Sequence, residues 1–105
     1  DIARFEEHVA KTPKLLERLF LSSELDAPMK TIAGRFAAKE ALIKALGGSD
    51  GVAWHEVEIT KNLSGKPEIK TLGLTAETVA AAGISSLHLS ISHDAGMAVA
   101  MVVAE

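Results

Sequence analysis

Apolar side chains recur along this chain first at a helical spacing and then at the twofold alternation of strands. Ile2, Phe5 and Val9 share one helical face, and Arg4, Glu6, Glu7 and His8 fill the rest. Leu15, Leu16, Leu19 and Phe20 form a second stripe. Thr12-Pro13 introduces it as an N-cap followed by proline at the first helical position. Ser23-Glu24-Leu25-Asp26 reads as a short capped turn, broken by Pro28. The main helix is predicted from about Thr31 to Leu46, with Gly47-Gly48 as its stop. Strand alternation follows. Val57 and Ile59 alternate with Glu56, Glu58 and Thr60 within a strand predicted over 52–60. Asn62 to Pro67 is a turn, and a second strand over 68–72 completes a hairpin. A short alanine-rich helix is predicted over 75–82, closed by Gly83. Leu87, Leu89 and Ile91 alternate with His88, Ser90 and Ser92, the mark of a half-buried strand. Asp94-Ala95-Gly96 turns the chain into a last, wholly apolar strand from Met97 to Ala104. The order implies an α+β domain spanning residues 1–105, with helices packed on a small antiparallel sheet.

Composition narrows the class. Aromatic residues make up only 4% of a chain that is 48% hydrophobic, so an aliphatic core is expected. Without cysteine there is no disulfide framework and no thiolate zinc site. The four histidines (His8, His55, His88 and His93) lack the close pairing of a zinc helix. No apolar run approaches the roughly 20 residues of a membrane span. No basic segment followed by an apolar one marks a secretory leader. The expectation is a cytoplasmic protein with no membrane partner. A formal net charge of −3 argues against general nucleic-acid binding.

The main helix departs from a simple amphipathic pattern. Ile32, Phe36, Leu42, Ile43 and Leu46 make a broad apolar face, yet Arg35 and Lys39 fall inside it and Glu40 lies at its edge. The opposite face is alanine: Ala33, Ala37, Ala41 and Ala45. A helix that can pack on two sides needs partners for its charges. Lys30, Arg35, Lys39 and Lys44 face a single acid, Glu40, so this stretch is locally basic. A small anionic ligand or an acidic partner would suit it, and a solvated helix face is the plain alternative. Glu40 is a candidate ligand for a hard divalent cation or a general base, with Lys44 one turn away to meet phosphate. A surface i,i+4 pair is the plain alternative, worth a few tenths of a kcal/mol.

Two further stretches carry polar chemistry. Asn62-Leu63-Ser64-Gly65-Lys66-Pro67 offers backbone groups and a lysine to a phosphate, but it lacks the length and flanks of a Walker loop, and a plain hairpin turn is the favoured reading. Ser90-Ile91-Ser92-His93-Asp94 collects triad residue types. Neighbours in a strand point to opposite faces, which disfavours a triad and leaves an anion contact at a sheet edge or a turn-flanking histidine.

Arg35-Phe36-Ala37-Ala38-Lys39-Glu40-Ala41 followed by Lys44-Ala45-Leu46-Gly47 closely resembles the signature of the 4′-phosphopantetheinyl transferases. Gly65-Lys66-Pro67 and Leu89-Ser90-Ile91-Ser92-His93-Asp94 resemble that family's other two blocks, in the same order. The resemblance extends over nearly the whole chain, and the short length points to the holo-[acyl-carrier-protein] synthase branch. It implies the family's α+β fold and its reaction. The phosphopantetheine arm of coenzyme A passes to a serine of apo acyl carrier protein with Mg2+, releasing adenosine 3′,5′-bisphosphate for fatty acid synthesis. Carried over by position, Glu40 would be the magnesium ligand, and Glu40 and Lys44 the catalytic pair. Lys44, Gly47, Gly65, Lys66, Pro67, Ser92 and His93 would contact coenzyme A. Arg4, Lys11, Lys14 and Arg18 would meet the acidic carrier protein, with Arg35 and Phe36 bordering that surface. The proton acceptor would be Glu40 or a metal-bound water. A homotrimer with sites between subunits is expected. Two other readings are a non-catalytic relative that binds carrier protein or nucleotide, and the transferase domain of a larger fatty acid synthase.

The family pattern opens with a Gly-Ile-Asp strand whose aspartate is the second metal ligand. By alignment, that aspartate would lie three residues before Asp1, and Asp1 matches a later acidic position. The chain is therefore expected to lack that first strand. The segment from Asp26 to Thr31 is also shorter than the family's usual one.

Overall fold

The computed structural model describes all 105 residues, Asp1–Glu105. Asp1 accepts the Arg4 amide proton at 3.0 Å and so caps helix α1 (Ile2–Lys11) with its own side chain. The Thr12 amide closes the other end of α1 by donating to His8 O at 3.0 Å. Thr12 therefore ends one helix rather than starting the next. Pro13 and Lys14 lie in a turn, and α2 runs only over Leu15–Leu19. Helix α3 (Ser22–Leu25) is a single turn. Helix α4 (Met29–Ala45) begins directly after Pro28, slightly earlier than the sequence pattern predicts, and it is the spine of the molecule.

The strand expected over residues 52–60 is shorter. Glu56 N donates to Ala53 O at 2.9 Å, winding Trp54–Glu56 into a 3₁₀ turn. Strand β1 is then Val57–Lys61 and β2 is Pro67–Thr71. Helix α5 spans Gly73–Ala81. Strands β3 (Leu87–Asp94) and β4 (Met97–Ala104) fall where the alternation places them. The strands form two separate antiparallel ribbons, β1–β2 and β3–β4. Asp94 pairs with Met97 across the two residues Ala95 and Gly96, both at positive φ (48° and 75°), as a tight hairpin requires. The Ile2 amide donates to Gly96 O at 2.9 Å, so α1 starts against that turn.

Helix α4 serves two buried clusters. Its Ala38 and Leu42 pack with Val57, Ile59 and Leu89 of the ribbons. Its Ile32 and Ala33 pack with Phe5 and Phe20. The expected aliphatic core holds only for the first cluster, because the few aromatic residues concentrate in and around the second. Leu42 is fully buried, so trimming it to alanine would cost about 2–5 kcal/mol.

Candidate active site

Lys39 is charged and lies in the apolar stripe of α4, and the fold gives it a complete set of partners. Its ammonium donates to Glu24 Oε1 at 2.7 Å, Leu19 O at 2.7 Å and Trp54 O at 2.9 Å. It also lies 4.6 Å from the centre of the Phe20 ring. Both side chains of the Glu24–Lys39 pair are 1% exposed. Burial pushes the Lys39 pKa below its ordinary value, against the opposing pull of Glu24. Glu24 is equally satisfied. Its Oε1 also accepts the Leu21 amide and its Oε2 accepts the Ile59 amide, each at 2.9 Å. Arg35, one turn before Lys39, donates from Nη1 to Glu24 O. Of the four bases in this stretch, Lys39 is therefore wholly structural, and Arg35 spends part of its guanidinium inside the fold. The sequence did not single out Glu24. The available signal was Lys39 itself, a cation in an apolar face that requires a buried acid.

The next stripe of α4 meets a cleft. Phe36 is half-buried between Phe5 (centroids 5.1 Å apart) and Trp54 (5.2 Å, stacked). Phe5, Phe36 and Glu40 line a cleft of about 450 Å³ between α1 and α4, to which Asp1, Arg4 and His8 add polar groups. Glu40 is exposed and in no ion pair. In particular it does not pair with Lys44, so the surface-pair alternative is not formed. Lys44 is exposed in the last turn of α4, just before Gly47. Of the cleft's two carboxylates, Asp1 is engaged as a helix cap and Glu40 is free.

The remaining family-matched residues lie on the two ribbons. Asn62 Oδ1 accepts the Ser64 and Lys66 amides at 2.9 and 3.0 Å, and Gly65 sits at φ +83°. That positive φ is why glycine stands there. Lys66 is left exposed on a defined turn, and Pro67 opens β2 opposite Lys61. Ser92 and His93 are not brought together, because they occupy opposite faces of β3. His93 lies on the face turned to α4, where its Nε2 is 2.9 Å from Lys30 O and its ring rests against Gly34. Ser92 lies on the outer face, opposite Val99. Arg4, Lys11, Lys14 and Arg18 are all exposed along α1, α2 and the turn between them.

One further acidic group is committed to structure. Glu56 Oε1 accepts the Thr75 hydroxyl at 2.8 Å and its amide at 3.2 Å, capping α5 from outside the helix. Those hydrogen bonds, the hydroxyl first, hold its carboxyl below the usual carboxylate range.

Comparison with known proteins gives the family of the chain. The family model of the 4′-phosphopantetheinyl transferase superfamily matches residues 1–100. A holo-[acyl-carrier-protein] synthase of Clavibacter michiganensis is 48% identical over 105 residues, covering 100% of this chain and 88% of that protein. One from Leifsonia xyli is also 48% identical, covering 100% and 89%. Among solved structures, Helicobacter pylori holo-[acyl-carrier-protein] synthase in complex with coenzyme A superposes with a TM-score of 0.87 at 38% identity, over 99% of this chain and 93% of that one. The Neisseria meningitidis enzyme gives a TM-score of 0.90 at 30% identity, over 99% and 90%.

Proposed function

The chain belongs to the 4′-phosphopantetheinyl transferase superfamily, and on that premise we propose that Glu40 and Lys44 of α4 form the centre of a holo-[acyl-carrier-protein] synthase. The enzyme moves phosphopantetheine from coenzyme A to a serine of apo acyl carrier protein. The serine hydroxyl gives its proton to a base, Glu40 or a water, its oxygen bonds to the phosphorus that carries the pantetheine arm, the phosphorus–oxygen bond to the nucleotide breaks, and adenosine 3′,5′-bisphosphate leaves.

The observation that carries the site reading is the free Glu40 carboxylate, aimed from a rigid helix at an open cleft. A hard, unpartnered carboxylate fits magnesium, which takes one or two carboxylates together with water and substrate phosphates. When bound, the metal supplies charge neutralisation on the diphosphate oxygens. Lys44, one turn along the same helix, adds a fixed positive charge for the nucleotide side of the diphosphate. Gly65, Lys66 and Pro67 offer an exposed turn to coenzyme A. Gly47, Ser92 and His93 are assigned to the same ligand. Arg4, Lys11, Lys14 and Arg18, exposed along α1, α2 and the turn between them among the acids Glu6, Glu7 and Glu17, offer cations to an acidic carrier. Phe36 and Arg35 border that surface.

A homotrimer suits the outer face of the β3–β4 ribbon. There Met97, Val99, Met101 and Val103 are 43%, 56%, 67% and 47% exposed, a continuous apolar row along β4. His88, Ser90, Ser92 and Asp94 run beside them on β3, so a subunit packed on this row would lie next to Ser92. The chain has no helix long and apolar enough to cross a membrane.

The direct test incubates apo carrier protein with this enzyme, coenzyme A and magnesium. The expected outcome is a mass gain of one phosphopantetheine on the carrier. An unmodified carrier would overturn the transferase reading.

A further inference from the structure

Glu24 is the chain's one buried carboxylate, and no catalytic step uses it. Through Oε1 it holds Lys39, and through its backbone carbonyl it receives Arg35. Arg35 and Lys39 are one turn apart on α4. Helix α3 therefore grips α4 at two points along one stripe, which fixes both its rotation and its shift along its axis. Lys39 is also tied to Leu19 and Trp54, and Glu24 to Ile59, so the grip is anchored in α2, the 3₁₀ turn and β1. Glu40 follows Lys39 directly, about 100° further round the helix. A side-chain tip lies about 5–6 Å from a helix axis, so a rotation of about 10° displaces it by about 1 Å. A misplacement of about 1 Å can cost about 100-fold in rate.

We propose that Glu24, acting through Lys39, is a positioning residue that sets the Glu40 carboxylate in the cleft. This rests on the reading of Glu40 as the magnesium ligand.

Glu24→Gln keeps the side chain's size but turns one acceptor oxygen into an amide, so it cannot serve Lys39 and both backbone amides together. Glu24→Gln and Glu40→Gln are compared with the wild type, each well below its melting midpoint. Magnesium is titrated against activity at saturating coenzyme A. Independently of turnover, the metal-induced rise in melting temperature is read on the protein–coenzyme A complex. The expected result for Glu24→Gln is a magnesium requirement raised about 10-fold or more, a smaller metal-induced melting shift, and an unchanged KM for carrier protein. A Glu24→Gln protein that melts lower but keeps the wild-type magnesium response overturns the proposal, because a purely structural pair would behave that way. If Glu40→Gln loses that response while Glu24→Gln keeps it, positioning alone falls. If Glu40→Gln keeps it too, the Glu40 reading falls and positioning falls with it. Should Glu24→Gln not fold, Glu24→Asp keeps the charge but shortens the reach by one methylene, and the same magnesium readings decide.

Discussion

His93 lays its ring against Gly34, so closely that a methyl group there would sit 2.9 Å from Nε2 and 3.1 Å from Cε1. The helix and the ribbon touch at this point because α4 has no side chain there. Gly34→Ala would gain about 1 kcal/mol of helix propensity. It would also force the ring off Lys30 O and press on Ile91, at a cost of about 1–3 kcal/mol. The expected net is a loss of about 1 kcal/mol in urea denaturation, with a raised KM for coenzyme A. An unchanged KM would separate His93 from the coenzyme site.

Lys39→Met leaves the Glu24 carboxylate buried without its counter-charge. Stability should fall by about 3–5 kcal/mol. The exposed contact between His88 and Glu105, at 3.7 Å, is the internal control. His88→Ala should shift stability by no more than about 0.5 kcal/mol. Equal losses from the two substitutions would contradict the structural weight given to the buried pair.

Glu40→Gln removes a carboxylate that supports no other group. Turnover should drop at least about 100-fold, comparable to losing one transition-state charge contact. The melting temperature should stay close to that of the wild type. Near-normal turnover at saturating magnesium would remove Glu40 from the mechanism.

Arg4→Glu reverses a charge on the rim of the cleft. The KM for carrier protein should rise about tenfold, equivalent to about 1.4 kcal/mol, and more than the KM for coenzyme A. Added salt should shrink the difference between variant and wild type. Equal effects on both substrates would count against a docking role for α1.

Glu56 makes a pH-dependent contribution to stability. Its folded pKa is lowered from an ordinary 4.5 by the Thr75 hydrogen bonds. The stabilisation is thus complete above about pH 4.5 and disappears as pH falls through the lowered value. The stability gap between wild type and Glu56→Gln should be constant at neutral pH and close in acid. A gap that persists after Glu56 is protonated would show that charge is not the cause.

The sequence was most legible where one periodicity ran uninterrupted. The alternation through Leu87, Leu89 and Ile91 placed β3 and β4, and the two-sided apolar pattern of α4 placed its spine. The family motifs led to Glu40, Lys44 and the Gly65-Lys66-Pro67 turn. Legibility failed where a side chain's partner is distant in the chain. Glu24 meets a lysine 15 residues away and an amide 35 residues away, and local pattern carries neither contact. Trp54–Glu56 read as strand because a 3₁₀ turn leaves no period of its own. Glu56 is turned towards α5, and Thr75 Oγ1 accepts the Ala53 amide. Thr12-Pro13 carried a genuine start signal, but a turn over Pro13 and Lys14 intervenes, so α2 starts after Lys14 with no side-chain cap.

In the proposed trimer the apolar row on β4 would tie folding to concentration. Covering Met97, Val99, Met101 and Val103 would add a term to stability that depends on how much protein is present. By mass action the melting midpoint should rise as the solution is concentrated, and specific activity should decay on dilution. Diluting the enzyme would then act as an inhibitor that touches neither substrate.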